Sequence, residues 1–203
     1  MDNLGMAILG RLWGNDEPKV SECEIMSELK IPVVFRDGKI LLPFLQPVDR
    51  FIRNLIQTKP NVWTMLVVGF KDAAFMFYLG LEGFQVDGLE SEKTVKLAKM
   101  AQNDLPLKHS IRFNFNNDVP EQLEKYPVYD IIVNFCLEKV KDPKQVMAES
   151  LKHLKLTGYA YFTSHIEQNV LDLIPEGFVT ETYQVIDKRK NINCFIIEVR
   201  HKK

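Results

Sequence analysis

Cysteine is scarce in this chain of 203 residues, and its three copies, Cys23, Cys136 and Cys194, lie far apart. An odd number of cysteines without a CxxC pair argues against a disulfide framework and against a zinc site. The four histidines show no metal-ligand spacing either, so we predict no metal site. This cysteine usage predicts a reducing, cytoplasmic location.

Long hydrophobic runs are also missing, since none approaches the roughly 18 residues needed to cross a bilayer. The N-terminus, Met1-Asp2-Asn3, lacks the basic stretch and apolar core of a signal peptide. The net charge of -1 gives no overall attraction to nucleic acid or to an anionic membrane. We expect no membrane partner. Nucleic acid is an unlikely partner, and it would have to bind through the basic run Lys188-Arg189-Lys190. Such runs usually face solvent and discourage pairing at a sheet edge.

The composition, 46% hydrophobic and 26% charged, is ordinary for a folded protein and fits one domain with an extension. Residues 1–60 form the predicted extension. It contains helices over residues 3–13 and 22–29, the second opened by a capping box at Ser21 and Glu24. A hairpin follows over residues 33–42, turning at Gly38, and Pro47 opens a further helix.

Residues 61–203 show strands alternating with helices, which predicts a mostly parallel sheet with right-handed crossovers. Strands are predicted at residues 63–69, 84–89, 111–115, 129–135 and 159–164. Helices are predicted at 73–81, 92–103, 119–124, 142–154 and 170–173. Segments 178–186 and 193–200 are too close for a helical crossover, so they form a hairpin that places one antiparallel strand in the sheet. The predicted class is α/β: a Rossmann-like, doubly wound sheet with a C-terminal antiparallel hairpin.

Four segments in this order resemble the class I S-adenosylmethionine-dependent methyltransferases, particularly the branch that acts on small molecules. Residues 65–69 resemble the family's first strand and first glycine, and residues 86–90 its second strand with a terminal acid. Residues 129–134 resemble the fourth strand, and residues 151–159 the passage usually written LKPGG. The family's sheet also ends with an inserted antiparallel strand.

The resemblance implies methyl transfer from S-adenosylmethionine to an unidentified acceptor, for which a small molecule is one candidate. Glu90 takes the place of the acid that holds the ribose hydroxyls, and Asn117 follows the third strand, where the family contacts adenine. Residues before Pro60 would cover the active site as a lid. No dedicated catalytic side chain is implied, because such enzymes mainly align the reactants. The implied cofactor contacts are Gly69, Phe70, Glu90, Asn117 and Asn134.

The glycine-rich turn departs from the family pattern. Val67 stands where the family has an acid, and Lys71 and Ala73 stand where its second and third glycines let the cofactor approach the backbone. Two hypotheses follow: an enzyme that tolerates an altered loop, or an inactive methyltransferase-fold module that binds a protein partner. Lys71 and Asp72 are either an exposed turn pair or part of a pocket for an anionic ligand. A nicotinamide-dependent oxidoreductase fits less well, because GxGxxG is missing.

Other polar residues each have two interpretations. Asn134-Phe135-Cys136-Leu137 lacks the prolines of amino-directed methyltransferases, so methylation of adenine or cytosine amines is not predicted. Cys136 is more typical of a small buried residue than of a nucleophile. His165 follows the predicted fifth strand, as a base at the pocket rim or an ordinary loop residue. Residues 116–118 contact adenine or simply form a turn.

Overall fold

A computed structural model describes residues 20–21, 33–36, 39–43, 45–70, 73–102, 111–115, 127–188 and 191–202. Its first element is a small antiparallel sheet of β1 (Val20–Ser21), β2 (Val33–Arg36) and β3 (Lys39–Pro43). Pairing of β2 with β3 confirms the predicted hairpin. The helices predicted at residues 3–13, 22–29 and 119–124 lie outside the described residues.

The helix predicted after Pro47 is present as α1 (Pro47–Gln57). Proline suits the first helical position because its missing N–H would have no partner there. Ile52 and Ile56, four residues apart, are buried in the core beneath the main sheet. Arg53 is 5% exposed and donates to Glu82, which directly follows the next helix. The boundary near residue 60 remains a prediction, although α1 packs on the main sheet.

Seven strands form the main sheet in the order β6-β5-β4-β7-β8-β10-β9. Strand β10 pairs antiparallel with both neighbours, and the pairings among β6, β5, β4, β7 and β8 are parallel. The predicted mixed sheet with its closing hairpin is therefore confirmed. The strands are β4 (Thr64–Val68), β5 (Gln85–Glu90), β6 (Ile111–Phe115), β7 (Tyr129–Asn134), β8 (Leu154–Ser164), β9 (Phe178–Asp187) and β10 (Ile192–His201).

Helices cover both faces of this sheet, as the short apolar strands predict. Met65 and Val67 of β4 belong to the core on the side of α1, whereas Leu66 and Val68 belong to the core on the opposite side. The other α-helices in the described part of the chain are α2 (Ala74–Leu81), α3 (Glu92–Gln102), α4 (Pro143–Lys152) and α5 (Gln168–Leu171).

Strand β8 begins at Leu154, five residues before the predicted start at residue 159. Helix α4 correspondingly ends at Lys152 rather than near residue 154. The register with β7 shifts after the Tyr129–Leu154 pair, because Tyr159 is the partner of Ile131. Pairing with β7 thus determines where β8 starts.

Within the described residues, no helix has the length and apolar character needed to cross a membrane.

Candidate functional site

The turn after β4 is built on Gly69. Its φ is +75°, in the region where a residue without a side chain is favoured, and its N–H donates to the Leu89 carbonyl at 2.9 Å. A Cβ on Gly69 would lie 2.5 Å from the Cys136 Cβ, too close for any side chain. The turn therefore brings the ends of β4, β5 and β7 together.

Phe70 turns its side chain into the protein and is 3% exposed. Its ring lies against Gly88 of β5, where an added Cβ would be 2.9 Å from Phe70 Cε1 and 2.4 Å from the Met76 side-chain end. The missing side chain at Gly88 thus makes room for the phenyl ring. A contact between Phe70 and a cofactor stays a prediction.

Ala73, at the position of the family's third glycine, keeps a glycine-like backbone. Its φ is +60°, although left-handed backbone is unfavourable for residues with a Cβ. Its N–H donates to the Phe70 carbonyl at 3.1 Å, and its carbonyl accepts from Phe77 N in α2. The turn therefore keeps the left-handed conformation that glycine would allow.

Glu90 ends β5, as predicted, and is partly buried. Its Oε1 accepts a hydrogen bond from Ser91 N at 2.9 Å. Its charge also acts on Cys136: burial first, and the Glu90 carboxylate second, raise the pKa of that thiol to about 12. A thiol with its pKa raised in this way stays protonated near neutral pH, which argues against Cys136 as a thiolate nucleophile. The ribose-binding role of Glu90 stays a prediction.

Asn134 ends β7, and its side chain is fully buried. Its Oδ1 accepts from Cys136 N at 2.9 Å, whereas Nδ2 has no hydrogen-bond partner among the described residues. The side chain therefore shapes the turn beside Gly69. Contact with a cofactor remains a prediction here too.

A cavity of about 270 Å³ lies beside this turn, at the carboxyl ends of β4, β7 and β8. The chain runs from β4 outward through β5 and β6, and then returns to the other side of β4 with β7. Open α/β sheets bind ligands at such a reversal. The cavity is lined by residues from five parts of the fold: Gln46, Val48, Asp49, Gly69, Phe70, Phe75, Phe135, Glu138, Lys139, Thr163, Ser164, His165, Ile192 and Cys194.

One wall of the cavity carries a hydrogen-bonded polar group. Glu138 Oε1 accepts from the Ser164 hydroxyl at 2.5 Å and from His165 N at 2.7 Å. Burial alone would raise the pKa of Glu138, but these hydrogen bonds and the nearby His165 outweigh it, so that this pKa is lowered. The Glu138 carboxylate therefore stays ionised and fixes the loop after β8.

The His165 ring is held by the opposite strand. Its Nδ1 lies 2.9 Å from the carbonyl oxygen of Asn193. A carbonyl can only accept, so Nδ1 carries the proton and Nε2 carries the lone pair in the neutral ring. His165 is exposed and lines the cavity, which places a basic nitrogen at its rim.

The sequence analysis named no individual residue of α1 as part of the cavity, and it did not identify the contribution of β10. Gln46, Val48 and Asp49 lie at the start of α1, and Ile192 and Cys194 belong to β10. The start signal at Pro47 and the prediction of a lid pointed to α1. Nothing marked β10, because its position between β8 and β9 depends on strand pairing.

Several predicted residues lie outside the described part of the chain, among them Lys71, Asp72 and residues 116–118 with Asn117. Of the basic run, Arg189 and Lys190 also lie outside, and Lys188 is exposed after β9. A role in nucleic-acid binding stays a prediction. Among the described residues, no group of three His, Cys, Asp or Glu side chains has a metal-binding arrangement.

No protein-family model matches the chain, and no curated protein matches it in sequence. Solved structures do resemble it. TrmN from Thermus thermophilus aligns with a TM-score of 0.66 at 16% identity, over 78% of this chain and 49% of that chain. The chain therefore spans about half the length of TrmN.

Two further structures have a TM-score of 0.64 at 14% identity. One is the N-methyltransferase NodS from Bradyrhizobium japonicum, solved with S-adenosyl-L-homocysteine. The alignment covers 86% of NodS and 77% of this chain. The other is the [4+2]-cyclase SpnF, and the alignment covers 81% of SpnF and 75% of this chain. The chain has the Rossmann-like fold of the class I S-adenosylmethionine-dependent methyltransferases. At this identity the likeness concerns the fold alone, and the fold does not fix the reaction.

Proposed function

We propose that this protein binds S-adenosylmethionine and transfers its methyl group to a small molecule held in the cavity beside Gly69. The observation that carries the proposal is the position of the cavity, at the reversal between β4 and β7 with Gly69 in its wall. NodS, which has the same fold, was solved with S-adenosyl-L-homocysteine.

The residues around the turn fit such a cofactor. Gly69 has no side chain to block the end of β4, and Ala73 has a left-handed backbone of the kind that glycine adopts easily. Phe70 packs beneath the turn against Gly88. The Glu90 carboxylate, at the end of the next strand, is in the proposal the acceptor for the ribose hydroxyls.

Bound S-adenosylmethionine supplies an electrophilic methyl carbon attached to a sulfonium sulfur. The task of this chain is to align the acceptor with that carbon and to exclude water. Phe75 and Phe135, which form an edge-to-face pair with ring centres 5.6 Å apart, supply an apolar wall for that purpose. Pockets for drug-sized ligands hold roughly 300–1,000 Å³. The cavity of about 270 Å³ would also have to receive the methyl-donor end of the cofactor, so in the proposal only a small acceptor fits beside it.

One observation favours the second hypothesis, a methyltransferase-fold module without this reaction. Glu90 does not line the cavity, and its Oε1 is already bonded to Ser91 N. In an inactive module Glu90 would only cap the start of α3.

Calorimetric titration with S-adenosylmethionine and S-adenosyl-L-homocysteine separates the two. We expect binding by the wild-type protein, a loss of affinity of at least about tenfold in Glu90→Ala, and no change in Glu92→Ala. Glu92 is the matched control because it is an exposed carboxylate two residues away. Absence of binding at millimolar concentrations by the folded protein contradicts the proposal and favours the inactive module.

A further inference from the structure

The amino ends of the parallel strands form a second edge of the sheet, opposite the cavity beside Gly69. Three large apolar side chains are exposed at this edge. Trp63 (68% exposed) directly precedes β4, Val128 (52%) directly precedes β7, and Leu156 (81%) lies near the start of β8. The three strands are neighbours in the sheet. We call these three residues the apolar patch; exposed apolar patches on folded proteins often mark interaction sites.

One buried carboxylate joins the parts of the apolar patch. Asp130 Oδ2 accepts from the backbone N–H of Trp63 at 3.1 Å, and Asp130 Oδ1 accepts from Lys155 Nζ at 2.8 Å. Lys155 directly precedes Leu156, and Val128 lies two positions before Asp130. The patch is therefore one continuous surface. Neighbouring strands lie about 4.8 Å apart, so β4 and β8 are separated by about 10 Å across it.

The ion pairs around the patch present their cations to solvent. Three pairs at this edge share one arrangement: the carboxylate side chain is between 4% and 13% exposed, and the cation between 39% and 72%. They are Arg112–Asp87, Lys152–Glu149 and Lys155–Asp130. Lys202 is a further exposed cation, since β10 runs antiparallel to β8 and ends at the same edge. The exposed Glu176 lies further out, before β9. The apolar patch is therefore surrounded by positive charge.

We propose that this edge binds an amphipathic helix of a partner protein, with apolar side chains on the patch and carboxylates toward the surrounding cations. Helix residues i and i+7 lie about 10.5 Å apart along the axis, with i+3 or i+4 between them. A helix lying across the strand ends therefore reaches Trp63, Val128 and Leu156 in turn, which is the anchor spacing of helix recognition. The surface is remote from the cavity, so the inference is independent of the proposed function.

The charge and shape of the edge disfavour three other occupants. A second copy of this chain would bring like charges together across the interface. Nucleic acid would gain from the cations, but Val128 and Leu156 have no aromatic face on which a base can stack. Lipid-binding basic segments carry roughly four to eight lysines or arginines, whereas three of the cations here are already bonded to carboxylates.

Trp63 supplies a direct readout of binding. The chain has two tryptophans, so Trp13→Phe leaves Trp63 as the sole one. The probes are three stapled helical peptides with leucine at i, i+3, i+4 and i+7 and with glutamate, glutamine or lysine elsewhere. We expect the glutamate peptide to shift Trp63 fluorescence to shorter wavelength saturably, the glutamine peptide to bind at least about tenfold more weakly, and the lysine peptide not to bind. Calorimetry on the unmodified chain gives the affinities independently. No binding of the glutamate peptide, or equal binding of the lysine peptide, overturns the proposal.

Leu156→Asp tests the patch itself, because it places a carboxylate among the cations at an exposed position that the core does not need. We expect the affinity for the glutamate peptide to fall at least about tenfold. Ile186→Asp is the matched control, since Ile186 is also exposed but lies in β9, near the opposite edge of the sheet. Unchanged affinity in Leu156→Asp, or an equal loss in Ile186→Asp, refutes the assignment.

The three other occupants are tested with the same two variants. Sedimentation of the chain alone reports self-association, titration with a single-stranded RNA oligonucleotide reports nucleic-acid binding, and flotation with phosphatidylserine vesicles reports lipid binding. We expect none of the three to depend on Leu156. Any of them that is lost in Leu156→Asp and retained in Ile186→Asp assigns the edge to that occupant and overturns the helix proposal.

Discussion

Lys59 Nζ lies 2.8 Å from Glu198 Oε2, although 139 positions separate the two residues. Glu198 is 2% exposed, and the ammonium also lies 4.4 Å from the centre of the Tyr159 ring. The pair joins the segment after α1 to β10, so it attaches the helix over the cavity to the sheet below. Glu198 also helps to raise the pKa of Tyr161, after burial, which is the largest cause.

Replacing Lys59 leaves a buried carboxylate without its cation. We expect Lys59→Met to lower the free energy of unfolding by about 3–5 kcal/mol, the usual cost of breaking a buried pair. Urea unfolding measures it. The control is Lys152→Met. The Lys152 side chain is 66% exposed in its ion pair with Glu149, and such a surface pair contributes about 0–1 kcal/mol. Equal effects of the two variants contradict the assignment.

Gly69→Ala tests the crowding at the turn after β4. We expect a loss of about 2–4 kcal/mol, because the backbone is left-handed and the new Cβ meets Cys136. Gly83→Ala is the control, since Gly83 has φ +94° with nothing within 4 Å of an added Cβ. Its loss is limited to about 1–2 kcal/mol of backbone strain. Thermal and urea unfolding measure both variants, and identical losses contradict the contact with Cys136.

Asp142→Ala tests the start of α4. Asp142 Oδ1 accepts from Gln145 N at 2.9 Å and caps the helix. We expect a loss of about 1 kcal/mol, whereas Asp142→Asn retains the cap and stays within a few tenths of wild type. Chemical unfolding of the three proteins measures this. A loss in the Asn variant as large as in the Ala variant assigns the effect to charge instead.

Much of the fold was predictable because local patterns agree with the packing. Three local patterns each pointed to a single structure. Asp142 with Pro143 indicated the start of a helix, the apolar run of β7 a buried strand, and the short C-terminal connection a hairpin. The start of β8 was not predictable. Leu156 is 81% exposed, so no apolar pattern marks the start of the strand, and its first residue, Leu154, is paired with Tyr129 of β7.

The candidate site was predictable in part. Gly69 directly follows β4 and Glu90 ends the neighbouring β5, as the pattern indicated, and His165 was marked by its place after β8. The carbonyl oxygen of Asn193 orients His165 because β10 lies next to β8 in the sheet. No local sequence pattern predicts this strand order. The burial of Asn134 was equally hidden, since it depends on the turn at Gly69.

Asp130 gives the fold a pH dependence. Burial would raise its pKa, but hydrogen bonds from Lys155, from the Thr64 and Trp63 backbone and from the Thr64 hydroxyl together lower it. A carboxyl with a lowered folded pKa stabilises the fold above its unfolded pKa, about 3.9, and loses this contribution as the pH falls through the folded pKa.

We therefore expect Asp130→Asn to be about 1–3 kcal/mol less stable than wild type at pH 7. The difference should shrink below about pH 4, as the wild-type carboxyl takes up its proton. Urea unfolding at intervals from pH 7 to pH 2 measures the difference. Lys155→Gln, which removes the ammonium 2.8 Å from Asp130 Oδ1, should reproduce part of the loss with the same pH dependence. A difference between Asp130→Asn and wild type that stays constant down to pH 2 rules out an ionised Asp130 as its source.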